Sequence, residues 1–314
     1  MRFVRASGSW HVSLSWQNEP VWMLVATALA AATGTAVLTV GAGHSNADRL
    51  YISSTAAKIE IVTTAGLWAA IPSVWIVGLS AFRMVAKRER PVQWDFVTLG
   101  VALSLAVAAG AWLAGWYARG SNTGVYLGIW RTSFTYAVAT MGAYRCLRAM
   151  WSARAAAASI SRSSMPSPAG AIAALSQLRS VLVNALVAVG VLVSLGVFAA
   201  GAQRQAWEAF SPKNKDAYPA AYVVIMGCAV TLFLMVNFVP PWLGWTSAAN
   251  AELDARLPSL APDAAGWQAR IGDRTAYAGL LQIPQSAREL LSSSVFIVGP
   301  LISATISLFI PGGS

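Results

Sequence analysis

From Val21 to Gly43 the chain carries no charged side chain. A helix crosses about 30 Å of hydrocarbon with roughly 20 apolar residues, so a run of this kind is long enough to span a bilayer. Six further runs follow at Ile59–Phe82, Phe96–Ala118, Ile129–Met150, Ser180–Gly201, Pro219–Val239 and Leu290–Ile310. Glu60 stands at the start of the second run, and Pro72 and Pro300 interrupt the second and the seventh. The pattern predicts an all-α fold: a polytopic transmembrane helix bundle of about seven spans, with short helical elements in the cytoplasmic loops. Charged residues make up 11% of the chain, against about 25% in an ordinary soluble domain. The first run exceeds a usual signal-peptide core and has a segment before it, so it is expected to stay as a helix.

Loop charges set an expected orientation. With the N-terminus inside, 15 of the 22 Lys and Arg fall in inner segments and 7 in outer ones. The cluster "KRER" at 87–90 weighs most, because basic residues near span ends are retained on the cytoplasmic side. The expected placement is multi-pass in the plasma (inner) membrane, N-terminus cytoplasmic and C-terminus outside. Ala, Arg and Trp usage suggests a GC-rich bacterial genome. The division reads as an N-terminal cytoplasmic segment (1–20), a six-helix membrane region (21–241) with a basic helical loop at 151–179, a hydrophilic cytoplasmic loop with short helices (242–287), and a last transmembrane helix with the C-terminus (288–314).

The formal charge is +10. No nucleic-acid motif accompanies it, and the basic residues flank apolar runs, so topology accounts for the charge and nucleic acid is not an expected partner. Cys146 and Cys228 both lie in apolar runs and read as small buried hydrophobes. Trp22, Trp94, Trp116, Tyr117, Trp130, Trp151, Trp242 and Trp245 fall at run edges, where amphipathic rings anchor at headgroup level. Trp68 and Trp75 share one helix face inside the second run, which suits packing or a cavity wall.

Loops carry further signals. "SWHVSLSW" at 9–16 alternates apolar and polar residues, which predicts an extended segment. Between the fourth and fifth runs, an Ala-rich basic stretch, a Ser/Pro/Gly break and a second helical stretch predict a projecting helical hairpin. "FVPPWLGW" should end the sixth span, since proline cannot continue the backbone ladder. "SAANAELDARL" and "PDAAGWQARIGDRTAYAGLL" should be two short helices, and Ser286–Glu289 forms a capping box that starts the last one. A region of this size is too small to bury a core of its own.

No metal-binding, phosphate-binding or nucleophile motif appears. No catalytic residue, cofactor or metal is therefore expected. Two polar groupings remain. Thr132, Tyr136, Thr140 and Tyr144 recur every four residues on the fourth run, with Ser133 on the same side, and make one broad hydroxyl face. Asn184 and Asn237 are the candidates to meet it, because amides at membrane depth rarely face lipid. Such a face either packs helices together or lines a solvated pathway. Glu60 and Arg131 are candidates for an ion pair at an outer mouth, or for separate snorkelling to the headgroups. Short Gly/Ala spacings, such as Ala30/Gly34, Gly110/Ala114 and Gly196/Ala200, suit close helix approach. The expected function is non-enzymatic: a subunit, scaffold or anchor of a membrane assembly, partnered by the lipid bilayer and other membrane chains. A transporter or channel for a small solute, using the fourth-run face, is the alternative.

Overall fold

The computed structural model describes residues 2–6, 9–13, 19–39, 51–86, 129–162, 167–210, 220–260, 266–283 and 287–309. The run at 96–118 and the Gly110/Ala114 pair lie outside these residues. Two antiparallel strands, β1 (Arg2–Ala6) and β2 (Ser9–Ser13), pair Phe3 with Val12 and Val4 with His11. The period-two stretch thus contains a strand. Among the described residues seven helices follow: α1 (Glu19–Thr39), α2 (Thr55–Ala86), α3 (Ile129–Arg162), α4 (Pro168–Phe210), α5 (Ala220–Arg256), α6 (Trp267–Leu281) and α7 (Ala287–Ser307).

Among the described residues, four segments are long and apolar enough to cross a membrane: Trp22–Thr39, Thr55–Arg83, Pro168–Ala206 and Ala220–Arg256. Val295–Ser307 is a shorter apolar helix. The helix over the fourth run, α3, forms as expected but falls short in apolarity, because Arg145 and Arg148 interrupt it. Outward side chains fit a lipid-facing surface. Leu232, Val239 and Leu243 of α5, with Val295, Ile302 and Ile306 of α7, are all exposed.

Close contacts fix the directions of the helices. Ile71 meets Gly142, Val74 meets Cys146, and Phe82 lies under Arg148, so α2 and α3 run parallel. Trp151 meets Asn237 and Arg154 meets Gly244, so α3 and α5 also run parallel. Leu175 meets Trp245, and Val197 clusters with Val223, so α4 runs against α5. Gly190, Ser194 and Gly201 of α4 lie opposite Phe296, Gly299 and Ser307 of α7, so these two are parallel. The central helix is α4, which packs on α2, α3, α5 and α7.

This register lines up the apolar stretches of α2, α4, α5 and α7 in one layer, with the first half of α3 among them. It also shows what extends past it. Helix α4 has 43 residues, about 65 Å at 1.5 Å per residue and twice the hydrocarbon thickness. The second half of α3, the first half of α4 and the end of α5 leave the layer together. With α6 they bury Ala153, Ala156, Ala157, Ala174, Leu175, Leu178, Trp245, Ala249, Leu253, Ala278 and Leu281. We refer to this part as the head. The projecting α3–α4 hairpin matches the sequence reading.

The sixth span does not stop at the prolines. Helix α5 continues through Pro240 and Pro241 to Arg256, and "SAANAELDARL" is its last part rather than a separate helix. Residues 242–256 are therefore helix, not loop, and one face of it, with Trp242, Trp245, Ala248, Ala249 and Leu253, is core. A proline inside a helix costs about 3 kcal/mol, and here tertiary contacts hold both sides of the break. Asn237 is tied to α3 before the prolines, and Trp245 to α4 after them. Trp242 and Trp245 are buried and stack in a row with Phe238, so they are core residues and not headgroup anchors. Trp151 is buried for the same reason. The second short helix exists as α6, beginning at Trp267. Ser286 and the start signals at 262–263 lie outside the described residues.

Candidate functional site

Among the described side chains of the α3 hydroxyl face, Tyr136 makes a contact to another helix and Thr140 bonds within its own. Tyr136 is half-buried, and its hydroxyl donates to the Gly196 carbonyl of α4 at 3.0 Å. Glycine is suited to that position: a Cβ on Gly196 would stand 3.3 Å from the Tyr136 ring. Thr140 donates to the Tyr136 carbonyl of its own helix at 2.8 Å, a back-bond that satisfies the hydroxyl locally. Tyr144 is half-buried. The side chains of Thr132 and Ser133 lie outside those described.

The two asparagines do not join this face. Asn237 is 1% exposed. Its Oδ1 accepts from the Trp151 indole at 3.1 Å, and its Nδ2 donates to the Phe233 carbonyl at 2.8 Å. Trp151 lies about 22 Å along α3 from Tyr136 at 1.5 Å per residue. Asn237 therefore marks the end of the layer next to the head, whereas Tyr136 marks the opposite end. Asn184 points outward on α4 and donates to Ser180 Oγ at 3.3 Å. The expectation that it faces the bundle is corrected: a side-chain partner one turn away satisfies its amide without an interhelical contact.

Glu60 is 4% exposed, and its carboxylate accepts from the Tyr51 hydroxyl at 2.6 Å. It is a buried group, not one reaching for headgroups. Ser54 positions the pair. Its hydroxyl accepts from the Ala57 amide and donates to the Tyr51 carbonyl, capping α2 and folding Tyr51 back over the first turns. The side chain of Arg131, the other half of the expected pair, lies outside those described. Nearby, Tyr51 and Ala57 pack on Ala206 of α4. On the same last turns of α4, Arg204 pairs with Glu208, and Gln205 donates to the Leu308 carbonyl at 3.1 Å. The fifth span thus runs on as helix to Phe210, and Arg204 is a helical, buried residue rather than a loop one.

Between α2 and α3, Trp68 Nε1 and Thr135 Oγ1 are buried without hydrogen-bond partners. Trp68 and Phe134, the residue before Thr135, have ring centroids 5.9 Å apart. Sequence reading missed Thr135 because it lies off the four-residue hydroxyl row. Tyr51 was missed as well, although a tyrosine just before a capping serine was a usable signal.

At the head, Trp245 donates its indole N–H to the Leu175 carbonyl at 2.8 Å. Arg179 reaches Gln282 at 2.6 Å. Arg274 bonds to Asp254 at 2.7 Å and also to the Leu257 carbonyl. Arg256 pairs with Glu252 at 3.0 Å. Burial, and next the neighbouring Glu252 carboxylate, push the Tyr277 hydroxyl above its ordinary value. Among the described residues, the Tyr51–Glu60 pair, the Tyr136–Gly196 contact and the Trp151–Asn237 boundary with the head above it are thus separate from one another. No family model matches the chain, and neither does any curated protein or solved structure.

Proposed function

We propose that this chain is a non-enzymatic integral membrane protein, a subunit, scaffold or anchor whose head docks other chains of a membrane assembly. One observation carries the reading. Among the described residues, Tyr136 bonds to Gly196 and Thr140 to Tyr136 near one end of the layer, while Asn237 bonds to Trp151 and Phe233 near the other. Bonds of this kind hold helices together without offering a ligand a site. The packed head then supplies a surface for assembly. Affinity purification from native membranes should recover stoichiometric partner chains, and truncating the head should lose them. A lone chain that conducts a solute in reconstituted vesicles would overturn the proposal.

The alternative, a transporter or channel for a small solute, is favoured by Trp68 Nε1 and Thr135 Oγ1, two buried polar atoms without partners in the apolar layer. Buried polar groups of this kind are commonly met by water. Solute flux abolished by Thr135→Val, with the fold intact, would move the assignment to this reading.

For topology, we take seven spans with the N-terminus inside and the C-terminus outside the inner membrane. Parallel α2 and α3 support this reading, since the apolar run at 96–118 is long enough for a return span between them. The clustering of arginines in the head fits the basic inner side. Labelling of single cysteines placed at Gly272 and Ser314 tests this. Labels reaching both from the same side would refute the topology.

A further inference from the structure

Arg145 and Arg148 sit three residues apart on α3, on the side turned to α2. The Arg145 guanidinium lies 5.0 Å from the Trp75 ring centroid, and that of Arg148 lies 4.4 Å from the Phe82 ring centroid. Gly78 fixes the helices at this height. A Cβ there would stand 2.6 Å from the Cys146 amide nitrogen and 2.7 Å from Arg145 Cβ. The backbones therefore approach closely, and both guanidiniums are held against the rings.

Stacking occupies the flat face of a guanidinium and leaves its N–H edge for an acceptor. Arg145 is in no ion pair among the described residues, and its Nε is buried without a hydrogen-bond partner. A buried donor of a charged group needs an acceptor. The place also matters: here α2 and α3 reach the end of the apolar layer, with Arg83 exposed in the last turn of α2. Under the Arg145 guanidinium Trp75 is 36% exposed, and Ile76, the next residue of α2, is 41% exposed. That juxtaposition joins an anion-seeking edge to an open apolar surface, which suits a molecule with a charged head and a hydrocarbon tail. A free phosphate ion would gain nothing from Trp75 and Ile76.

We propose that Arg145 and Arg148, stacked on Trp75 and Phe82, bind the headgroup phosphate of an anionic phospholipid whose chains lie against Trp75 and Ile76. Basic pockets between membrane helices near the water boundary recognise such headgroups.

The test uses the full chain in detergent with mixed micelles of phosphatidylglycerol or phosphatidylcholine, read by native mass spectrometry. Wild type should retain phosphatidylglycerol about tenfold more than phosphatidylcholine, and the double variant Arg145→Gln, Arg148→Gln should lose about tenfold of that retention, as expected for charge-assisted hydrogen bonds. Arg270→Gln, in the head, should change nothing. Equal retention of the two lipids by wild type would overturn the proposal even if the double variant does not fold. Equal loss in Arg270→Gln would overturn it too, since bulk charge would then explain the binding. Inorganic phosphate should neither compete with the lipid nor raise the thermal midpoint; phosphate doing both as well as phosphatidylglycerol would also overturn it.

Discussion

The apolar layer and the head share three helices, α3, α4 and α5, yet they hold together differently. In the layer, helices approach through glycine. Gly34 lies against Trp68, Gly78 against the α3 backbone, Gly201 against Ser307 and Gly227 against Ala304. In the head, alanines line the contacts, indole N–H groups bond across helices, and arginines pair with carboxylates at the rim. The difference follows from what surrounds each part. Lipid outside is as apolar as leucine inside, so the layer gains from close fit and neutral hydrogen bonds rather than from burial. In the proposed topology water surrounds the head and restores the hydrophobic effect, so its core can be plain and its rim charged.

Substitutions should separate the two regimes. The largest effect is expected for Trp245→Ala, which removes a fully buried ring and its bond to Leu175. It should cost about 4 kcal/mol, read as a fall in the unfolding midpoint in detergent. A loss under about 1 kcal/mol would mean that the head contributes little to the fold. Gly78→Ala should cost about 3 kcal/mol, because the new methyl meets backbone rather than a side chain that can turn aside. If Gly78→Ala proves neutral, the glycine description of the layer fails.

Smaller effects sharpen the comparison. Asn237→Leu strands the Trp151 indole at the boundary and should cost about 1 to 2 kcal/mol, while Tyr136→Phe in the layer should cost about 0.6 kcal/mol. A double-mutant cycle of Asn237 with Trp151 should show coupling, and a cycle of Asn237 with Tyr136 should not. Coupling in the second cycle would revive a single continuous polar face. The smallest effect is a pH response. The folded state raises the Tyr277 value, so its contribution is full below about pH 10 and is lost as pH rises through the folded value. Tyr277→Phe should flatten that alkaline limb, and an unchanged limb would assign it to other groups.

Much of the layer could be read from the chain, because spans depend on length and apolarity alone. The runs at 21–43, 59–82, 180–201 and 219–239 each fall on a helix able to cross a membrane. The ends were not legible. Where an apolar run stops, the helix need not stop, and α4 and α5 continue because neighbours replace lipid around them. Pro240 and Pro241 read as a terminator, since the contacts of Asn237 and Trp245 that hold the helix come from positions distant in sequence. The candidate site was legible in kind and not in arrangement. Spacing on α3 showed that Tyr136 and Thr140 share a side, but which asparagine stands at which depth depends on the offset between helices. Buried Glu60 shows the same limit: a tyrosine from the turn before the helix donates to its carboxylate, a contact that spacing along the helix does not reveal.

The single unbroken α4 has a mechanical consequence. With a rod of about 65 Å clamped by neighbours over its whole length, motion at one end cannot be absorbed midway. Each degree of tilt moves the far tip by about 1 Å, on that same length. A partner leaning on the head would be felt at Arg204 and Gln205, and a change around Glu60 would swing the head.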